Sequence, residues 1–310
     1  MANQQEIEAC YDWFDQFQIM CLGEYSDVTC AFFDGNFSKT LQQAQRDKHK
    51  WVLNNINFKP GQRILDIGCG RGPMLKVIQD RGGKGIGLTL SSWQARYCQG
   101  KGLDARLQDY KTADPKQFGR IDSVVSIGAL EHFCSIEEFR KGKQEEIYRN
   151  FFKFCYDVLP KGGRLYLHMM VWGKKVPNLN EISLGAPEGS DELILARATK
   201  FYPGSWLPSG KNQLIQCAKP YFDFITSNNG RLDYIETLSR WSSATRKLYT
   251  TTKVVQAAIA AARLLPRYLT SSDFRTQIAF LTNGDQTECF VREIMSHERM
   301  FFEKRGVDKE

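Results

Sequence analysis

Asp66-Ile67-Gly68-Cys69-Gly70-Arg71-Gly72-Pro73 stands between the apolar run Arg63-Ile64-Leu65 and a second apolar stretch holding Met74, Leu75, Val77 and Ile78. A glycine cluster placed between a strand and a helix lets the backbone pass close to a bound ligand. It also aims the first helical N–H groups at that ligand. Pro73 suits the first helical position, because its missing N–H would be unpaired there anyway. Asp66, just ahead of Gly68, puts a carboxylate where a cationic ligand group can meet it. The next apolar run, Gly85 to Leu90, ends Gly87-Leu88-Thr89-Leu90. It lacks the acidic residue that a nicotinamide dinucleotide site offers to the ribose hydroxyl. A nucleoside carrying an ammonium answers both features, and S-adenosylmethionine is such a ligand. Taken alone, the same loop also reads as a tight turn that packs helix on strand.

The elements that must position these residues alternate. After Ser91-Ser92 comes a helix containing Trp93, Ala95, Arg96 and Tyr97, followed by apolar strands at Ile121 to Ile127 and Arg164 to Val171. A long helical stretch around Glu145 to Leu159 separates those two strands. Such alternation predicts a Rossmann-like α/β fold, a mostly parallel sheet with helices on both faces. Upstream, Thr40 reads as the cap of a helix in which Leu41, Ala44, Lys48, Trp51 and Val52 recur at helical spacing. Gly173 to Arg240 breaks the alternation and reads as an insertion covering the substrate over the C-terminal edge of the sheet. A helix at Thr252 to Leu265 follows. Thr276 to Leu281 and Glu288 to Ile294 then look like an antiparallel closing hairpin across Asn283-Gly284-Asp285. The chain is expected to be a single domain: an N-terminal helical lid (1–58), a donor-binding core (59–172), the insertion (173–250), and a C-terminal helix with the hairpin (251–310).

Length and composition narrow the class. The 310 residues are 42% hydrophobic and 25% charged, ordinary for a globular chain with a sizeable core. The net charge of +7 suits either a solvated surface or an anionic partner such as an acidic lipid surface. No Lys/Arg run is dense enough for a nucleic-acid stripe, so nucleic acid is not an expected partner. The cysteines include no C-x-x-C pair, which argues against a disulfide framework or a metal site and for a reducing cytoplasm. Residues 1–6 carry no signal-peptide pattern, and Val254 to Leu265 is too short and too polar to span a bilayer.

Several motifs, in order, carry a family resemblance. Ile64-Leu65-Asp66-Ile67-Gly68-Cys69-Gly70, followed by Gly87-Leu88-Thr89-Leu90-Ser91-Ser92-Trp93-Gln94, resembles the LDIGCGWG and G(I/L)TLSxxQ wording of the cyclopropane fatty acid and mycolic acid cyclopropane synthases. Ser126-Ile127-Gly128-Ala129-Leu130-Glu131-His132-Phe133 is similar to the family's SxGxFEH. Phe201 to Ser209 is similar to its (I/F)FPGGxLPS, and Asp233 to Trp241 to its HYxxTLxxW. Leu167-His168, Tyr11-Asp12 and Cys30-Ala31-Phe32-Phe33 also fall where the family has related residues.

The resemblance implies a class I methyltransferase that moves a methyl or methylene carbon from S-adenosylmethionine to an alkene of a lipid-like acceptor. It implies that Asp66, Gly68, Gly70, Thr89, Leu90 and Gln94 hold the donor. Asp109-Tyr110 stands where the family more often has Gly-Trp, with Asp109 accepting from the adenine amine and Tyr110 covering the ring. It implies a bicarbonate used as general base, bound by Cys30 through its backbone and by Glu131, His168 and Tyr234. Attack of an alkene on the sulfonium methyl makes a carbocation, from which a positioned base must remove a proton. Aromatic faces such as Tyr11 stabilise a cation without reacting with it. Taken singly, Glu131 reads as a helix-start carboxylate and His168 as a hydrogen-bonded core histidine. Val28-Thr29 replaces the family's Tyr-Ser, Cys10 its histidine, and Met169-Met170 its Thr-Ile. These departures leave the donor site intact and the acceptor open, with N- or C-methylation of an apolar alkaloid or isoprenoid as the alternative. Contact with an anionic membrane fits the basic surface; the oligomeric state is left open.

Overall fold

The computed structural model of the protein describes residues 27–202, 204–248 and 254–306, and Tyr11 lies outside these described residues. Thr40 caps α1 (Leu41–Asn55) through a capping box, its hydroxyl taking the Gln43 N–H while the Gln43 side chain takes the Thr40 N–H. The glycine loop joins β1 (Arg63–Ile67) to α2 (Pro73–Asp80). β2 (Lys84–Thr89), α3 (Ser92–Gly100) and β3 (Asp104–Leu107) continue the alternation. β4 (Ser123–Ile127) leads through a short α4 (Ile136–Arg140) into α5 (Gln144–Val158) and β5 (Arg164–Trp172). Next come α6 (Asp191–Phe201), α7 (Lys211–Ala218), β6 (Phe222–Asn229) and α8 (Arg231–Leu248). The chain closes with α9 (Val254–Thr270), α10 (Ser272–Thr282), α11 (Asp285–Val291) and β7 (Met295–Lys304).

The strands form one sheet in the order β3-β2-β1-β4-β5-β7-β6. β1 to β5 pair in parallel, and β7 lies antiparallel between β5 and β6. β5 shows why both faces must be covered. Its residues alternate between Leu165, Leu167 and Met169, which pack with Phe151 and Phe152 of α5, and Tyr166, which packs with Val52 and Leu53 of α1 and with Phe301. A strand buried on both faces reads as a continuous apolar run, as Arg164 to Val171 does. The chain leaves β1 toward β2 on one side, and later returns to β4 on the other. That reversal opens a crevice beyond the carboxyl ends of β1 and β4, where open α/β sheets bind ligands. No helix of the described residues is long and apolar enough to cross a membrane.

The antiparallel closure exists, but other residues build it. Thr276 to Leu281 lies within α10 and Glu288 to Val291 within α11, so the expected hairpin is a pair of helices. Phe274, Gln277 and Phe280 are buried at helical spacing, as are Asp285, Gln286, Cys289 and Phe290. Gly284, at φ 82°, starts α11 rather than turning a hairpin. The strands that close the sheet are β6 and β7, far apart in the chain. The helix expected at Thr252 to Leu265 continues through Pro266 to Thr270.

β7 also carries a buried cation that ties the N-terminal residues to the sheet. Arg299 is fully buried; Nη1 bonds Asn228 Oδ1 at 2.6 Å and pairs with Asp233 Oδ2 at 2.9 Å. Its Nη2 donates to the Ala31 carbonyl at 2.7 Å and to Cys30 Sγ at 3.2 Å. Gly230 makes the room: a Cβ there would stand 2.8 Å from Arg299 Nη1 and 2.6 Å from His297 Nδ1. Removing one partner of a buried ion pair leaves the other charge uncompensated. Arg299→Met is therefore expected to lower the unfolding free energy by about 3–5 kcal/mol, measured by urea denaturation. A loss below about 1 kcal/mol, as for an exposed pair, would contradict this role.

Candidate active site

Three glycines shape the crevice. Gly68 (φ 83°), Gly70 (φ 54°) and Gly72 (φ 73°) all take left-handed backbone, which lets the chain turn sharply from β1 into α2. The Gly68 and Cys69 N–H groups both donate to the Leu88 carbonyl at 2.9 Å, clamping the loop onto β2. Gly68 has a second constraint. A Cβ there would lie 2.3 Å from Ala129 Cβ, because the loops after β1 and β4 meet at this point.

One cleft gathers all the residues expected to hold the donor: Asp66, Gly68, Gly70, Thr89, Leu90, Gln94, Asp109 and Tyr110. Asp66 is buried at 2% exposure, and its Oδ1 has no hydrogen-bond partner among the described residues. Burial, with help from the Asp27 charge, pushes its carboxyl up to about 7. Asp27 lines the same cleft but is already engaged, with Lys48 Nζ at 2.5 Å and His49 Nε2 at 2.9 Å. Burial raises the Asp27 carboxyl too, but Lys48 and His49 outweigh it and hold the group below the usual carboxylate range. Asp66 thus keeps one carboxylate oxygen without a partner among the described residues, which fits the ammonium end of S-adenosylmethionine.

The rest of the cleft fits the other end of such a ligand. Thr89 Oγ1 and Gln94 Oε1 bond at 2.6 Å, and Ser91 caps α3 through the Gln94 N–H. Asp109 turns the chain after β3 by accepting from the Lys111 N–H at 2.9 Å. Tyr110 lines the cleft, but its ring is also built into the core, 4.7 Å from the Phe133 ring and 5.4 Å from Phe151. His132 is a lining residue that sequence reasoning missed. Its Nδ1 lies 2.9 Å from Ser205 Oγ, and burial pulls its imidazole down to about 4, so it is neutral at pH 7. Around it, Ile136 N bonds the Gly204 carbonyl and Trp206 N the Cys134 carbonyl, pinning Gly204 to Trp206 against the cleft rim.

The residues expected to do proton chemistry lie elsewhere. None of Cys30, Glu131, His168 and Tyr234 is among the residues lining the donor cleft. They are coupled to it through backbone: Gly128, a lining residue, donates its N–H to the His168 carbonyl at 2.8 Å. Glu131 is buried; Oε1 takes the Met170 N–H at 3.1 Å, while Oε2 has no partner among the described residues. Burial pushes Glu131 up to about 7 against the pull of its backbone hydrogen bonds. His168 Nδ1 lies 3.1 Å from Tyr166 Oη, and its Nε2 is unpartnered among the described residues. Burial, helped by His297, Lys48 and Arg299, holds His168 well below the usual histidine range.

What links these residues is β7, which carried no signal in the sequence. His297 stands 4.2 Å from the His168 ring and 5.4 Å from the Tyr234 ring, centroid to centroid. Arg299 joins Cys30 to Asp233, the neighbour of Tyr234. Cys30 Sγ also contacts the Gly230 carbonyl at 3.6 Å, and burial pushes its thiol up to about 12. A thiol held protonated is a packing group, consistent with a contribution through backbone alone.

The chain as a whole is similar to known proteins. The family model for mycolic acid cyclopropane synthetase matches residues 1–282. Cyclopropane mycolic acid synthase 2 of Mycobacterium leprae is 31% identical over 253 residues, covering 77% of this chain and 79% of that protein. The crystal structure of mycolic acid cyclopropane synthase CmaA1 complexed with SAH and CTAB superposes with a TM-score of 0.74 at 25% identity, over 97% of this chain and 98% of that one. Coclaurine N-methyltransferase bound to N-methylheliamine and SAH shares the fold, with a TM-score of 0.65 at 15% identity over 93% of this chain and 81% of that one.

The raised Asp66 carboxyl sets a pH dependence. A carboxyl at about 7 in the folded protein and near 3.8 when unfolded stabilises the fold less as pH rises between those values. A cationic ligand restores what is lost, so its binding strengthens over the same window. Affinity for S-adenosylmethionine is expected to rise about tenfold from pH 6 to pH 8, with the rise abolished and binding weakened in Asp66→Asn. Titration calorimetry measures both; a pH-independent affinity in the unsubstituted protein would contradict the assignment.

Proposed function

The chain belongs to the mycolic acid cyclopropane synthetase family and is an S-adenosylmethionine-dependent methyltransferase; from that premise we propose that it alkylates an alkene of a lipid-like acceptor held beside the donor cleft. The observation that carries this reading is that Glu131 Oε2 and His168 Nε2 are both buried and without a hydrogen-bond partner among the described residues. Polar atoms buried without partners cost free energy, so a fold keeps them where a ligand or a proton transfer uses them. Bound at Asp66, Gly68, Gly70, Thr89, Leu90, Gln94, Asp109 and Tyr110, the donor supplies an electrophilic methyl carbon.

The chain's own residues supply orientation and a proton path. With the Tyr166 hydroxyl donating to His168 Nδ1, the neutral ring carries its proton on Nε2 and donates from there. Glu131, at about 7, exchanges a proton near neutral pH. Together with the Cys30 backbone and Tyr234, these are donors and an acceptor suited to a bicarbonate, which would supply a general base. Tyr234 and Trp241 face the same apolar cluster as Met170, Trp172 and Trp206, a dry wall against which an acyl chain packs. Tyr11 enters on the family resemblance alone. The described cysteines are all unpaired thiols, which supports work in a reducing cytoplasm. The basic balance supports taking the acceptor from an anionic lipid surface.

Incubation with donor labelled in the methyl group and unsaturated phospholipid or fatty acyl acceptor is expected to label the lipid. Glu131→Gln and His168→Ala should each reduce turnover about 10²–10⁴-fold while donor affinity stays within about threefold. Labelling of an amine instead of the alkene would overturn the proposal and favour N-methylation.

A further inference from the structure

α9 presents an apolar surface to solvent. Val255 is 65% exposed, Ile259 49%, Leu265 51% and Leu269 67%. At about 100° per residue, Leu265, Ala258, Leu269, Ala262, Val255, Pro266 and Ile259 fall within one arc of roughly 120° that holds no polar side chain. Arg263 and Arg267 border the arc on one side, with Arg267 resting over the Phe274 ring at 4.7 Å. Leu264, on the opposite side, packs into the cluster that contains Cys30 and Tyr234. The helix is thus anchored by one face to the reaction side of the molecule and leaves the other uncovered.

Charge decides what covers it. Between Glu236 and Asp273 the chain contains no acidic residue, while Arg246, Lys247, Lys253, Arg263 and Arg267 all fall there. On α9 itself, Arg263 and Arg267 stand beside the exposed arc, and the helix carries no acidic residue to offset them. A protein interface of this kind would need matching acids. A bilayer rich in anionic headgroups supplies negative charge over a continuous area, with acyl chains beneath it to take the apolar side chains. α9 spans 17 residues and does not qualify as a membrane-crossing helix, so it suits lying in the headgroup plane.

We propose that the outward face of α9, centred on Val255, Ile259, Leu265 and Leu269, seats the protein on an anionic lipid bilayer. This rests on the lipid-acceptor reading for its purpose but not for its binding. The helix docks on the same apolar cluster as Tyr234, so a lipid surface at α9 brings acyl chains to the reaction side.

The test is flotation of the full-length protein with vesicles of phosphatidylcholine containing 30% phosphatidylglycerol, against pure phosphatidylcholine. Binding is expected to the anionic vesicles only, and to weaken about tenfold or more between 50 and 500 mM salt. Leu265→Asp/Leu269→Asp should abolish flotation while circular dichroism stays unchanged. Turnover of a detergent-dispersed unsaturated acyl acceptor should be retained in that variant, and loss of turnover on vesicles alone locates the defect at docking. Flotation without any lipid methylation would defeat the acceptor reading and leave this surface standing. No flotation of the unsubstituted protein, equal flotation of the variant, or a dimer that the double substitution dissociates would overturn the proposal.

Discussion

A buried carboxylate that meets no cation among the described residues governs this molecule. Asp66 is the last residue but one of β1, where the strand order reverses, and its burial pushes it to about 7. Burial disfavours its charged form at a cost in free energy, and the loops after β1 and β4 meet close by at Gly68 and Ala129. The neighbouring Asp27 raises the cost further, although its own charge is answered by Lys48 and His49. The site is therefore incomplete electrostatically in one direction, toward a cation entering the cleft. The ammonium of S-adenosylmethionine would complete it, and Thr89, Gln94, Asp109 and Tyr110 line the same cleft.

The sheet places a second polar group behind the first. β4 and β5 run side by side from Ile127 to His168, so the Gly128 N–H meets the His168 carbonyl directly below the cleft. β7 then sets His297 against His168, and Arg299 against Cys30, in a setting where burial holds both histidines neutral. Gly128, which lines the cleft, and His168, which does not, are thus joined through the pairing of β4 with β5. The apolar cluster around Tyr234, Trp172 and Trp206 extends to Leu264 of α9.

Sequence reasoning reached the parts of this arrangement that are local. The donor loop is contiguous, and its glycines and Asp66 are legible because backbone conformation and charge demand those residue types at adjacent positions. The Thr40 cap and the apolar runs of β1, β4 and β5 are legible for the same reason. The closure was not, because β6 and β7 find each other only in three dimensions, and β6 is an edge strand with half-exposed residues and a register shift near Phe224. The α10 and α11 segments alternate well enough to mimic strands, while their burial follows helical spacing. His297, Arg299 and the Asp27–Lys48 pair carried no local signal: each is a polar residue whose meaning comes from a partner distant in the chain. Lys48 sat at a core-facing position of α1, where the pattern counted it with the apolar residues, and it is fully buried with Asp27 beneath it.

Where the donor's cation lies decides the role of Asp66. A crystal structure of the complex with the thioether product S-adenosylhomocysteine measures this directly. The ligand is expected in the crevice between β1 and β4, with its ammonium within hydrogen-bonding distance of Asp66 Oδ1. Its adenine should lie toward Asp109 and Tyr110. A complex in which Asp66 stays unpartnered and the ammonium is held elsewhere would contradict that role.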